Sequence, residues 1–168
     1  MRYYLGVINT GEEEPTYEEM CRIQQNSINI PVTYEHSTIP YAAVHIKKLN
    51  IETTQENVWN LNKRICDAKG YAQLGVCNHI WYCAKNKAWY CLFGLYPDGK
   101  WPIIQCAIEH NLVNGLSLTF NKLTFVPYEI TISEEPHKPR CHIIMSSVHI
   151  QDIFDYIRIH CPQTIASQ

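Results

Sequence analysis

The chain has 168 residues, 46% of them apolar and 18% charged, with a formal net charge of −2. That length suits one domain able to bury a core without metal or disulfide staples, and the composition is that of a globular protein, neither fibrous nor disordered. The near-neutral charge and scattered lysines exclude a broad electrostatic footprint for nucleic acid, and no apolar run is long enough to cross a bilayer.

In chain order, residues 2–9 are rich in β-branched and aromatic side chains and predict an opening strand. Pro15 suits a first helical position, and Tyr17, Met20, Cys21 and Ile23 follow at the spacing of a short amphipathic helix. Residues 28–35 and 41–49 predict two further strands across the turn-prone Ser37–Pro40. Thr53 and Glu56 form a capping-box pattern for a helix through Val58, Leu61 and Ile65 that Gly70 ends. Residues 72–95 predict a β-hairpin with its loop near 84–87, before a Pro97-Asp98-Gly99 turn. A helix is expected over Pro102–Leu112 and strands over Leu116–Pro127 and Cys141–Val148, joined by a polar segment containing Pro136 and Pro139. Ser146 or Ser147 would cap a last helix whose face is Ile150, Ile153, Phe154 and Ile157, with Pro162 as its stop. Roughly seven strands with interspersed helices, no repeat and no linker predict a mainly β protein with helices, a barrel or sandwich in one domain over 1–168.

No cationic segment followed by an apolar one opens the chain, and no Asn-x-Ser/Thr sequon occurs, which points to an intracellular location. The cysteines at 21, 66, 77, 83, 91, 106, 141 and 161 form no CxxC pair. Most sit in apolar runs, where a reduced thiol acts as a small hydrophobe. A zinc site from Cys77, His79, Cys83 and Cys91 is the alternative, although strand alternation sends these side chains to mixed faces and the spacing is wide for a zinc knuckle. No metal and no cofactor are expected.

Three segments carry the functional signal: Ile30-Pro31-Val32-Thr33-Tyr34-Glu35-His36-Ser37, Gly115-Leu116-Ser117-Leu118-Thr119 and Pro139-Arg140-Cys141-His142-Ile143-Ile144-Met145. Each brings a serine or a histidine from a strand-like run. A serine hydroxyl is a weak nucleophile until a base takes its proton, and histidine titrates where that base is useful. A second histidine can hold the first in its productive tautomer, with less benefit than a carboxylate because it brings no full negative charge. Ser117 as nucleophile, His36 as general base and His142 as orienting group form one such set; His45 is an alternative base and His137 an alternative third member. Apart from those alternatives, His45, His79, His110, His137, His149 and His160 are expected to be half-buried and bonded to backbone.

The three segments together resemble the maturational proteases of herpesviruses, the assemblins. Gly115–Thr119 is similar to that family's Gly-x-Ser-Leu-Ser-Ser strand, Ile30–His36 to its Leu-Pro-Leu-x-Ile-x-His segment, and Cys141–Ser146 to its His-Val-Ala-Leu-Cys-Ser strand. The order His, Ser, His is shared, the 25-residue interval from Ser117 to His142 is comparable, and Tyr4-Leu5-Gly6-Val7 is similar to the family's first strand.

The resemblance implies an α+β fold, a seven-stranded β-barrel surrounded by helices. It further implies a serine endopeptidase that cleaves a capsid scaffold protein during capsid maturation in the host-cell nucleus, with Ser117, His36 and His142 as its triad. Family cleavage sites join Ala to Ser, and Ala166-Ser167 fits a release site. Two features depart from the family. Its oxyanion-stabilising Gly-Arg-Arg element is replaced by His149, Ile150 and Gln151, of which Gln151 could contribute a donor. The family's further helices, which build its homodimer, have no counterpart after the helix at 148–161, so this chain either pairs differently or is a shortened relative. Partners are then a scaffold-protein substrate and, as an option, a second copy; nucleic acid and membrane are not among them. A catalytically inactive relative that binds capsid or scaffold protein is the alternative.

Overall fold

A computed structural model describes residues 1–10, 15–27, 29–34, 74–96, 102–136, 138 and 140–163. Runs rich in apolar, aromatic and β-branched residues build strands β1 (Arg2–Asn9), β2 (Ile30–Tyr34), β3 (Gly75–Cys83), β4 (Ala88–Leu95), β5 (Gly115–Phe120), β6 (Pro127–Ser133) and β7 (Ile143–Ser147). Among the described residues three helices accompany them: α1 (Tyr17–Gln25), α2 (Pro102–Glu109) and α3 (Ile150–His160). The strands form one sheet in the order β5-β6-β2-β3-β4-β1-β7. Every neighbouring pair is antiparallel except β2 and β6, which run parallel.

The sheet curls without closing, which corrects the expected barrel. Its edge strands meet at one bridge, Gly115 opposite His142. Around that bridge Leu116 N–H donates to Cys141 O (3.0 Å) and Ile143 N–H to Asn114 O (2.8 Å). No ladder continues from it, because Cys141 N–H turns back to Lys138 O and Arg140 adopts φ 69°. The result is a half-barrel with a seam between β5 and β7.

The concave face holds the larger core. Tyr4 and Ile8 of β1 meet Trp89, Cys91, Phe93 and Leu95 of β4 there, together with Met20 and Ile23 of α1 and Ala107 and Ile108 of α2. The convex face of β1, β3 and β4 presents Leu5, Val7, Trp81, Cys83, Tyr90 and Leu92 to Ile153 and Ile157 of α3. A bulge between Cys77 and His79 explains how β3 serves both. It inserts one residue, so inward-facing parity passes from Cys77 to Ile80, and Trp81 and Cys83 turn outward. Trp81 then anchors the end of α3, its indole N–H donating to Cys161 O (2.9 Å).

The hairpin at 75–95 and the opening strand match expectation. Other elements do not. Thr16, not Pro15, starts α1: its hydroxyl accepts from Glu19 N–H and the Glu19 carboxylate accepts from Thr16 N–H, a full capping box. The strand expected over 116–127 stops at Phe120 and turns through 121–126, where Asn121 Oδ1 accepts from Leu123 and Thr124 N–H. The polar joiner expected after it contains β6. Helix α2 ends at Glu109. His149 is the N-cap of α3 and Ser147 supports it, accepting from His149 N–H and donating to Asp152 Oδ2. Phe154, expected on the buried face of α3, is exposed. The predicted strand at 41–49, the helix at 53–70 and the 97–99 turn lie outside the described residues, as do His36, His45, Cys66, His137 and Ala166-Ser167.

Candidate active site

Ser117 sits in the middle of β5, directly opposite Thr131 of β6, and Thr131 in turn pairs with Thr33 of β2. Residues paired across strands share a face, so these three hydroxyls form a row over three strands. The opposite face of the same strands carries Leu116, Ile130, Ile132 and Val32 into the concave core. Thr33 donates to Glu129 Oε2 (2.8 Å) and shares a second hydrogen bond with Thr131 Oγ1 (2.9 Å). Thr131 is fully buried, and its hydroxyl is satisfied through this network, as a buried polar group requires.

On its other side, β5 joins β7 only at Gly115, and Ser117–Phe120 has no strand partner there among the described residues. A cavity of about 290 Å³ runs beside this stretch. Ser117, Leu118 and Phe120 form one wall; Ile8 of β1 and Pro15 and Glu19 at the start of α1 form the other. Lys122 and Lys138 also line it. Next to Phe120, the guanidinium of Arg22 in α1 lies 4.1 Å from the centre of the Phe125 ring. Phe125 has φ 60°, a conformation a bulky residue adopts only when its surroundings enforce it. The Asn26 amide donates to Phe125 O (3.4 Å) and the ring stacks on Phe120, which supply that enforcement.

His142 enters β7 from the seam. Being opposite Gly115, it is diagonal to Ser117, a relation that places paired residues about 7–8 Å apart. Its carbonyl accepts from Val7 N–H (3.0 Å) and fixes the backbone on β1. Its side chain lines a second cavity, of about 250 Å³, with Arg140, Tyr90 and Asn86. Ser117 and His142 are therefore neighbours across the seam that line different cavities. The His142 ring makes no hydrogen bond among the described residues.

Of the residues expected at the position of the family's Gly-Arg-Arg element, His149 caps α3 and Ile150 and Gln151 open it. Gln151 spends a side-chain amide hydrogen on Asp155 (2.9 Å) and is exposed. His149 and His160 are also exposed, and so is His110, whose Nδ1 lies 2.9 Å from Cys106 O. His79 is half-buried, stacks on Trp81 and meets Gln163 Nε2 at 2.6 Å; burial lowers its pKa, the Gln163 contact opposing. The four residues of the zinc alternative do not converge, since Cys77 and Cys91 belong to the concave core and Cys83 to the convex one. No cluster of three metal-ligating side chains occurs among the described residues. Cys77, Cys83, Cys91, Cys141 and Cys161 are buried thiols that form no disulfide. Burial raises the pKa of Cys91 well above that of an ordinary thiol and that of Cys161 to about 12.

The Thr33–Thr131–Glu129 network was missed in the sequence because β6 was. Its signal was present: Tyr128-Glu129-Ile130-Thr131-Ile132-Ser133 alternates polar and apolar residues at the strand period.

No protein-family model matches the chain, and no curated protein is similar to it in sequence. Among solved structures it is similar to the protease of Kaposi's sarcoma-associated herpesvirus, crystallised with an allosteric inhibitor. The TM-score is 0.54 at 9% identity, over 99% of this chain and 85% of that one. The fold is thus similar to that of a herpesvirus protease.

Proposed function

We propose that this protein is a serine endopeptidase of the assemblin type, with Ser117 as nucleophile, His36 as general base and His142 as orienting residue. The observation that carries the reading is the fold likeness over nearly the whole chain. Within that fold, the two strands that bring Ser117 and His142 are joined directly, at the Gly115–His142 bridge. The cavity beside β5 suits the substrate, because an edge strand offers unpaired backbone groups to an extended peptide.

In this mechanism Ser117 Oγ attacks the scissile carbonyl carbon while His36 takes the hydroxyl proton. The tetrahedral intermediate collapses, the C–N bond breaks, and His36 returns the proton to the leaving amine. Water then hydrolyses the acyl-enzyme by the same steps. His142 holds the His36 ring. Without the family's arginine pair, oxyanion stabilisation falls to backbone N–H groups, and loss of one such donor costs about 100- to 1000-fold in rate, so the enzyme is slow. The substrate is a capsid scaffold protein with small residues at the cut, processed in the host nucleus, and a second copy of the chain is its candidate partner.

Mass spectrometry after incubation with a fluorophosphonate tests this. The parent protein gains one adduct and Ser117→Ala gains none; an unlabelled, folded parent protein sinks the nucleophile assignment. The separation of Ser117 and His142 into two cavities favours one second reading, an inactive relative that keeps the fold to bind capsid or scaffold protein. That relative would stay unlabelled.

A further inference from the structure

The cavity on the convex side of the seam has a chemistry of its own. Arg140 and His142 approach it from one side and the β3–β4 turn with Tyr90 from the other, while Thr10 lies at the end of β1. Among the described residues, none that lines it is a carboxylate. Arg140 is exposed and makes no ion pair among the described residues. Its backbone, at φ 69°, is the turn that ends the β5–β7 bridge.

The hydroxyl of Tyr90 is already supplied with a donor. The Asn86 amide gives one hydrogen to Tyr90 Oη (2.9 Å) and the other to His160 O (2.6 Å). Tyr90 is thereby left with its own O–H to donate, and burial, the largest influence on it, raises its pKa so that this hydrogen is retained. Arg140, Tyr90 and Thr10 are therefore donors, His142 adds a ring nitrogen, and Val7 and Ala88 supply an apolar wall.

We propose that this cavity binds a carboxylate, with Arg140 as its charged anchor and Tyr90 as its second donor. A guanidinium fork matches the two coplanar oxygens of a carboxylate. One full positive charge balances one negative charge, which favours a carboxylate over a phosphate dianion. The volume of about 250 Å³ is below the roughly 300–1,000 Å³ of sites for drug-sized molecules and suits a single acidic residue or a chain terminus. Nothing in this pocket depends on Ser117 being reactive.

The test is a titration of the full chain, followed by calorimetry and by the NMR signals of the Arg140 Nε–H and the Trp81 indole, which stacks on Tyr90. Three hexapeptides are the probes: one with an internal Glu and an amidated end, one without acidic side chains but with a free C-terminal carboxylate, and a neutral one with Gln and an amidated end. The structure expects at least one of the first two to bind and move both signals, and which one does identifies the carboxylate's source. Arg140→Gln, which keeps the backbone demand of the parent residue, is expected to weaken binding about tenfold or more. Tyr90→Phe is expected to weaken it by a smaller factor, and Ser117→Ala to leave it unchanged. Equal binding of the neutral peptide, tighter binding of inorganic phosphate, or full affinity in a folded Arg140→Gln variant overturns the proposal. If Arg140→Gln does not fold, full affinity in Tyr90→Phe overturns it instead.

Discussion

Ser117 and its neighbours show how much one residue's setting depends on chain far away in sequence. The serine itself stands out in Gly115-Leu116-Ser117-Leu118-Thr119, but its lateral partner Thr131 and the Thr33–Glu129 bond come from two other strands. Glycines give a similar lesson, with a measurable consequence. A Cβ on Gly75 would run into the backbone of Gly94, whereas one on Gly94 would mainly meet the flexible side chain of Met1. Backbone cannot give way as a methionine can, so Gly75→Ala should cost about 1–3 kcal/mol through overpacking and Gly94→Ala clearly less. Urea melts of the two variants check this, and equal losses would mean that β3 and β4 can separate at that end. The apolar runs on either side of the 84–87 turn made this hairpin legible, but the sequence did not reveal that Gly75 lies against the backbone of Gly94.

Among the elements, those whose partners are local were the readable ones. The hairpin and α3 follow from periodicity and turn residues alone. β6 was lost because Pro127 and Pro136 around it suggest a loop, and because β2, its parallel partner, is about a hundred residues away. The start of α1 was misplaced for a different reason. Thr16 and Glu19 have capping-box spacing, but the proline beside them is the louder signal. Since Pro15 and Glu19 also line the cavity beside Ser117, the cap holds part of the site's wall. Thr16→Ala should lower stability by about 1 kcal/mol, or about 2–4 °C in Tm for a chain of this size. Thr16→Ser should retain most of it in the same thermal melts. A Thr16→Ala variant as stable as the parent would show that α1 is held by Met20 and Ile23 alone.

For the molecule as a whole, the resemblance carried the fold class further than periodicity did, yet it overstated closure, since no local pattern reports whether two sheet edges meet. The distribution of buried titratable groups sets the stability profile with pH. Cys161 is raised from 9.0 to about 12, and burial also raises Tyr4, Tyr90 and Cys91. A raised group holds its proton longer in the folded state, so its contribution is complete below the unfolded value and is lost as pH climbs from about 9 toward 12. His79 acts oppositely: its lowered value gives stability that is present above 6.5 and lost as pH falls below it. Tm should therefore hold a plateau between those limits and decline on both sides, with Cys161→Ala softening the alkaline limb and His79→Gln the acid one. Unchanged limbs in both variants would remove these two groups as the cause. The seam has a mechanical consequence. A curled sheet fastened at one link behaves as a sprung clip: among the described residues the backbone bonds that tie its two edges are those around Gly115 and His142, so parting the edges breaks them first. The strand bearing Ser117 and the segment bearing His142 then move as opposing jaws. Whatever enters between them acts on both residues together.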